Sequence, residues 1–290
     1  MASVGFLGLG SMGLAMAANL QKTHQVLVHN RSAGPADRLV SQGSQLANSA
    51  KHALEQEISF SMLANDSACD EVLSIENICA GTTHVCMASI SPELAKKLTS
   101  RFQAAGATYI SAPVLGRPNV AEAAQLHILA AGKKDAVLKV TPALEAMGQR
   151  VWFLSEEPHL ANLTKIAVNY NILHAIQAIA ESIALVEGSG LKAQEFVELL
   201  SSTLFGGVVY KNYGEQIANR NFEPVMFSMQ LGRKDLALAQ GAAEQVGIEL
   251  PSSKVLAELL ETALVDPQLA NLDWAALAEV TLKQDKTPKA

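Results

Sequence analysis

The first half of the chain alternates short apolar runs with stretches of helical periodicity. The run VGFLG leads into SMGLAMAANLQ, and QVLVHN leads into PADRLVSQG. EISFSML and THVCMAS precede PELAKKLTSRFQAAG, and then come ATYISAP, QLHILAAG, KKDAVLKVTPALEAMG and RVWFLS, which ends at Ser155. Short β-like runs separated by helix-length amphipathic stretches describe βαβ units. They predict a mostly parallel, doubly wound α/β sheet with helices on both faces.

The pattern changes after Ser155. Residues 162–187 are rich in Ala, Ile and Leu, hold no Gly or Pro, and place apolar side chains nearly all round a helix. This predicts one long buried helix, ended by Gly188 and Gly190. The segments that follow, from LKAQEFVELLSST to WAALAEVTLKQ, all carry helical periodicity. The expected organisation is an N-terminal α/β domain, 1–161, and an all-α C-terminal domain, 162–290, joined by the long helix. The final KQDKTPKA reads as a frayed polar tail.

Composition narrows the function classes. The chain is 49% apolar and 17% charged, which excludes wholesale disorder. A net charge of −6 argues against nucleic acid or an anionic membrane as partner, while leaving room for a small anionic ligand. The cysteines Cys69, Cys79 and Cys86 are odd in number and form no CxxC pair, so neither a disulfide framework nor a metal site is expected. No basic, cleavable leader is evident, and the most apolar stretch contains Asn169, Asn171, His174, Gln177 and Glu181, too polar for a membrane span. A cytoplasmic location is the expectation.

The chemistry-bearing motif comes first in the chain. GLGSMG sets Gly8, Gly10 and Gly13 in GxGxxG spacing, with Leu9, Ser11 and Met12 between them, after an apolar strand and at the start of a helix. In that context the first glycine permits the tight turn and the second leaves room for a pyrophosphate. The third lets helix and strand pack closely, and the helix N-terminus holds the anion. The domain is therefore read as a Rossmann domain binding a dinucleotide. An acidic residue at the end of the second strand would bind the ribose 2′-OH of NAD. This chain has His29, Asn30, Arg31 and Ser32 there, with no carboxylate until Asp37. Arg31 offers a fork for a 2′-phosphate, and Asn30 and Ser32 offer hydrogen bonds, so NADP is expected over NAD.

Lys165 and Asn169 lie four residues apart near the start of the long helix and so share one face. A lysine on a mostly buried helix is either functional or reaches solvent at the helix end. Four ordered segments resolve that choice by resemblance: FLGLGSMGLAMAANL, SAPVLGRPNVA, Lys165 with Asn169, and GRKDLALAQGAAEQVGIELP. Together they resemble the β-hydroxyacid dehydrogenases, the group that includes 3-hydroxyisobutyrate dehydrogenase, the glyoxylate/succinic semialdehyde reductases and 6-phosphogluconate dehydrogenase-like folds. The resemblance implies hydride transfer between NADP(H) and a small aldehyde, 2-keto acid or 3-hydroxy acid, with Lys165 as general acid/base and Asn169 as its partner. It also implies substrate contacts from Val114, Leu115, Gly116 and Arg117, and cofactor contacts from Leu63 and Ser89. Lys234, of the Lys234–Asp235 pair, would contact both cofactor and substrate. It further implies a homodimer made by the helical half, and a homotetramer is the other assembly expected.

Two departures stand out. The family's substrate loop commonly reads Ser-Gly-Gly, where this chain has Leu115, Gly116 and Arg117. Arg117 either takes over an anionic group of the substrate or points outward and leaves a less polar pocket. Before the lysine, Gly-x-Gly is replaced by His159, Leu160 and Ala161. His159 reads more readily as a helix-start residue than as a proton carrier. Two other readings of the chain remain: an imine reductase-like enzyme, against which the retained lysine counts, and a catalytically silent NADP-binding scaffold.

Overall fold

The computed structural model describes residues 3–283, so positions 284–290 of the expected polar tail lie outside the described residues. Its strands are β1 (Ser3–Leu7), β2 (Gln25–His29), β3 (Gln45–Leu46), β4 (Ile58–Ser61), β5 (Thr83–Cys86), β6 (Thr108–Ser111), β7 (Val114–Leu115), β8 (Leu126–Ala131) and β9 (Gly148–Ser155). The helices of the first half are α1 (Ser11–Leu20), α2 (Ala33–Val40), α3 (Ala50–Leu54), α4 (Asp66–Val72), α5 (Pro92–Ala104), α6 (Pro118–Glu122) and α7 (Lys134–Glu145). Then follow α8 (His159–Gly188), α9 (Ala193–Ser202), α10 (Val208–Ala218), α11 (Met229–Gln245), α12 (Ser253–Val265) and α13 (Ala278–Leu282). The chain divides into two compact units, Met1–Lys165 and Ile166–Ala290, with the division inside α8 where the expected boundary was 161/162.

The first unit is a nine-stranded sheet in the order β3-β2-β1-β4-β5-β6-β8-β7, with β9 paired to β8. Pairs from β3 through β6 are parallel, β8 runs antiparallel to β6 and β7, and β9 returns parallel to β8. Both faces are covered, which is why central strands read as continuous apolar runs rather than as alternation. On one face Phe6, Val28 and Phe60 pack with Met16, Leu20 and Leu39, and Ile128 packs with Val140 and Leu144. On the other, Leu7, Leu27 and Cys86 pack with Leu54, Leu94, Leu98 and Phe102. Strand order reverses between β1 and β4, so the crevice above their C-terminal ends is the place where an open α/β sheet takes a ligand.

A cluster of buried polar side chains sits inside this sheet. His84 of β5 is fully buried, with Nδ1 2.8 Å from Ser59 Oγ and Nε2 2.9 Å from Ser61 Oγ. A neutral imidazole has one donor and one acceptor nitrogen, so the two hydroxyls satisfy it and no charge need be buried. Its ring also stacks on Phe102.

The second unit is helical. Its core gathers Leu173, Ile176 and Ile183 of α8 with Tyr213, Ile217, Leu236, Leu256, Leu260 and Trp274. The Trp274 indole N–H donates to the Tyr213 hydroxyl at 2.8 Å, which satisfies a polar atom inside that core. The long helix starts and ends close to expectation. Gly190 takes φ +93° and Leu191 N–H bonds the Val186 carbonyl at 3.0 Å, a glycine-dependent helix stop. The expectation of a helix buried all round needs correction. Positions 163, 167, 171, 178, 181 and 185 form an exposed stripe at helical spacing, with Leu185 73% exposed, because the single chain packs against only part of an apolar cylinder. Among the described residues no helix is long and apolar enough to cross a membrane.

Burial pushes the His84 imidazole down to about 3, against about 6.5 for an unfolded histidine. The unfolded chain therefore binds the extra proton between those values, and stability falls as pH falls through that window. Denaturant unfolding of His84→Asn should show a pH slope shallower than wild type by up to about 1.4 kcal/mol per pH unit between pH 6 and 4. Identical slopes would contradict this account.

Candidate nucleotide and redox site

The three glycines of the loop differ in what surrounds them. Gly8 has φ +88°, and a Cβ there would stand 2.4 Å from the Met62 carbonyl oxygen and 2.9 Å from Leu63 Cδ2. A Cβ on Gly13 would stand 2.0 Å from the Gly8 carbonyl oxygen. Those two glycines permit backbone to pass backbone. Gly10 differs: among the described residues no heavy atom lies within 4 Å of where its Cβ would be. Gly10 also caps α1 without any side-chain hydrogen bond, so the helix N-terminus faces open space with orphan N–H groups. The site thus has the room and the donors that a pyrophosphate requires. Leu9 is buried in the core, so only its backbone is placed to face a ligand; Ser11 is exposed and Met12 half-buried.

The residues after β2 have unequal tasks. Asn30 Oδ1 accepts the Leu9 N–H at 2.9 Å, while Nδ2 donates to Ser32 O at 2.9 Å and to Ser32 Oγ at 3.0 Å. Its amide clamps the end of β2 to the glycine loop. Arg31 and Ser32 are exposed. Leu63 follows β4 and Ser89 follows β5, both half-buried. The residues expected to hold the cofactor within the first unit therefore follow the C-terminal ends of four adjacent parallel strands, β2, β1, β4 and β5.

The segment after β6 is more ordered than a loop. Val114 and Leu115 pair with Ile128 and His127 as the short strand β7. Gly116 has φ +147°, and a Cβ there would meet Leu126 Cδ2 at 2.6 Å. Arg117 then starts α6, its carbonyl accepting the Val120 and Ala121 N–H groups. The side chain of Arg117 is half-buried and its Nη2 is out of solvent, so the tip of the guanidinium is turned into the protein. A residue the sequence reading passed over holds this segment. Buried Asn19 of α1 donates from Nδ2 to the Ala121 carbonyl at 2.7 Å, tying α6 to the helix that starts at the glycine loop.

Lys165 is half-buried on α8. Three residues earlier, on the same face, buried Asn162 donates a long hydrogen bond of 3.5 Å to the Ala88 carbonyl, beside Ser89. That bond holds the first turn of α8 against the end of β5. A polar residue on an otherwise apolar stretch was the available signal for both Asn19 and Asn162. His159 lies at the helix start with Nδ1 3.9 Å from Glu157 Oε2. Burial, reinforced by Lys96, pushes its imidazole below the ordinary value against the opposing pull of Glu157 and Glu93.

In the helical unit, Asn169 is buried and its Nδ2 donates to Asp235 Oδ2 at 2.5 Å. The other oxygen, Asp235 Oδ1, lies 3.9 Å from Lys234 Nζ. One carboxylate thus joins the two residues of this unit expected at the site, a link invisible in the spacing.

A glycine loop of this form, at the point where the strand order of a parallel sheet reverses, defines a dinucleotide-binding domain. Residues 3–155 match the NAD binding domain of 6-phosphogluconate dehydrogenase, and residues 160–281 match the NAD-binding model of NADP-dependent 3-hydroxyisobutyrate dehydrogenase. The chain is 35% identical to the uncharacterized oxidoreductase YfjR of Bacillus subtilis, over 94% of this chain and 98% of that one. It is 29% identical to glyoxylate/succinic semialdehyde reductase 1 of Arabidopsis thaliana, over 95% of this chain and 97% of that one. Its fold matches Mycobacterium tuberculosis 3-hydroxyisobutyrate dehydrogenase, solved with L-serine, with a TM-score of 0.86 and 26% identity over 96% of this chain and 98% of that one. The chain belongs to the β-hydroxyacid dehydrogenase family, NAD(P)-dependent oxidoreductases acting on CH–OH groups.

The geometry separates two glycine substitutions. Gly10→Ala should keep the wild-type melting temperature within about 2 °C yet weaken NAD(P)H binding at least tenfold by titration, since its methyl would meet no heavy atom of the described residues within 4 Å. Gly13→Ala should lower the melting temperature as well, because its methyl meets backbone. Equal melting losses in the two variants would contradict the assignment.

Proposed function

We propose that this protein is an NADP-dependent reductase of a small aldehyde or 2-keto acid, also able to oxidise the matching hydroxy acid, with Lys165 as general acid/base. The observation that carries the reading is the seat of Lys165. It lies on α8 one turn beyond Asn162, whose amide holds the helix to the C-terminal end of β5, two strands from the glycine loop.

When bound, the dinucleotide supplies or accepts the hydride at the nicotinamide ring. The protein's own part is the proton. In reduction the Lys165 ammonium gives a proton to the substrate oxygen as negative charge develops there; in oxidation the amine takes the proton of the alcohol. Asn169 lies on the same helix face and orients the reacting oxygen or the lysine. The substrate's remaining groups are assigned to Val114, Leu115, Gly116, Arg117 and Lys234. Gly8, Leu9, Gly10, Ser11, Met12, Gly13, Leu63, Ser89 and Lys234 are assigned to the cofactor, the loop residues mainly through backbone. NADP is favoured by exposed Arg31, whose fork pairs with a phosphate, and by the lack of a carboxylate at the end of β2. Asn30 acts there through the loop, since its amide is already engaged.

We further propose a homodimer or homotetramer in the cytoplasm. Exposed apolar side chains of the helical unit, among them Leu185, Leu199 and Val208, support assembly.

The deciding experiment follows NADPH oxidation with glyoxylate, succinic semialdehyde, tartronate semialdehyde and cyclic imines. Turnover of an aldehyde or keto acid is expected, with Lys165→Ala slower by about 10²–10⁴-fold. Turnover of imines alone, or full activity of Lys165→Ala, would overturn the reading. Arg31→Ala should raise KM for NADPH about tenfold and leave NADH use nearly unchanged; equal effects on both cofactors would remove Arg31 from the 2′-phosphate.

A further inference from the structure

We infer that Asp235 is a positioning residue that fixes which end of the Asn169 amide faces the reaction. The inference rests on the reading of Lys165 and Asn169 as the reacting pair. Asp235 lies in the middle of α11, where aspartate is a poor helix former, and is only 6% exposed. Helix formation alone does not call for it, and a buried carboxylate persists only where charges or donors satisfy it. Its two oxygens meet Asn169 Nδ2 at 2.5 Å and Lys234 Nζ at 3.9 Å.

The chemistry of the contact sets its direction. An ionised carboxylate only accepts hydrogen bonds. The amide nitrogen of Asn169 therefore faces Asp235, and Oδ1, at the other end of the amide, is directed away from that carboxylate. A lone asparagine could rotate by half a turn and exchange donor for acceptor at little cost; this one is locked. The acceptor it presents suits an alcohol O–H of the substrate or an ammonium N–H of Lys165, the groups between which the proton moves. The other oxygen lies 3.9 Å from Lys234 Nζ, beyond hydrogen-bond distance, so the fixed contact of this carboxylate is the one to Asn169. Asp235 acts through Asn169.

The test is a double-mutant cycle on the full-length protein with NADPH and glyoxylate. Asp235→Asn is isosteric and leaves an amide pair whose direction is no longer fixed; it should lower kcat at least tenfold with KM for NADPH within twofold. In an Asn169→Ala background the same change should lower kcat less than twofold, because a residue acting through Asn169 has nothing left to position. Equal losses in both backgrounds, or full kcat in Asp235→Asn, would overturn the inference. A second readout needs no turnover and uses Asp235→Ser. In protein labelled with ¹⁵N-asparagine, the side-chain amide of Asn169, assigned by its loss in Asn169→Ala, should exchange with water at least tenfold faster in Asp235→Ser than in wild type. Unchanged exchange would overturn the inference on its own, including where Asp235→Asn fails to fold or glyoxylate is not reduced. Full activity of Lys165→Ala would instead defeat the reading of the reacting pair and leave the amide exchange to decide the contact.

Discussion

Strand β1 and helix α1 meet with no side chain between them, and the rest of the structure depends on that contact. The Gly13 Cα sits so near the Gly8 carbonyl that a methyl group has no place. Because the two elements cross this closely, the N-terminus of α1 opens directly over the C-terminal end of β1. The helix dipole and the free N–H groups are thereby aimed at one point. Asn30 then braces the loop from the β2 side, and Leu63 packs beside it from the β4 side. The same helix carries the contact further. Asn19 ties α1 to α6 and so sets the segment Val114–Arg117 relative to the glycine loop. A displacement of α1 would disturb the glycine loop and this segment together.

Several polar side chains of the two units are engaged at both of their chemical ends. Asn30 spans Leu9 and Ser32, His84 spans Ser59 and Ser61, and the Asp235 carboxylate stands between Asn169 and Lys234. A buried polar group left half-made is costly, by about 1–3 kcal/mol. Groups satisfied at both ends therefore hold one orientation, which is what a site needs if donors and acceptors are to be presented in a fixed pattern.

The α/β class, the helical second half and the glycine loop were legible because they rest on local periodicity and on backbone constraints that glycine alone meets. The long helix was legible for the same reason, from 162 to 187 against His159–Gly188 in the structure. The two-residue strands β3 and β7 and the five-residue helices α3 and α6 were not, since so few residues carry no period. The direction of Arg117 depends on how β7 pairs with β8 and how α6 packs, which no spacing records. Asn30 was read as a phosphate ligand from its place after β2; its bonds to Leu9 and Ser32, which brace the loop, are not recorded in that spacing. The link from Asp235 to Asn169 joins residues far apart in the chain, and only the packing of α11 on α8 brings them together. The exposed stripe on α8 was hidden for the opposite reason: its sequence is apolar where the single chain offers no cover.

The central claim is that the protein moves a hydride from a nicotinamide dinucleotide to a carbonyl carbon. Its most direct measurement is a single turnover with NADPH deuterated at C4 of the nicotinamide ring, on each face in turn, with mass analysis of the alcohol formed. One face should deliver one deuterium to the carbinol carbon for each cofactor oxidised, and the other face none. Product without deuterium from either face, or cofactor oxidation without an alcohol product, would contradict the account.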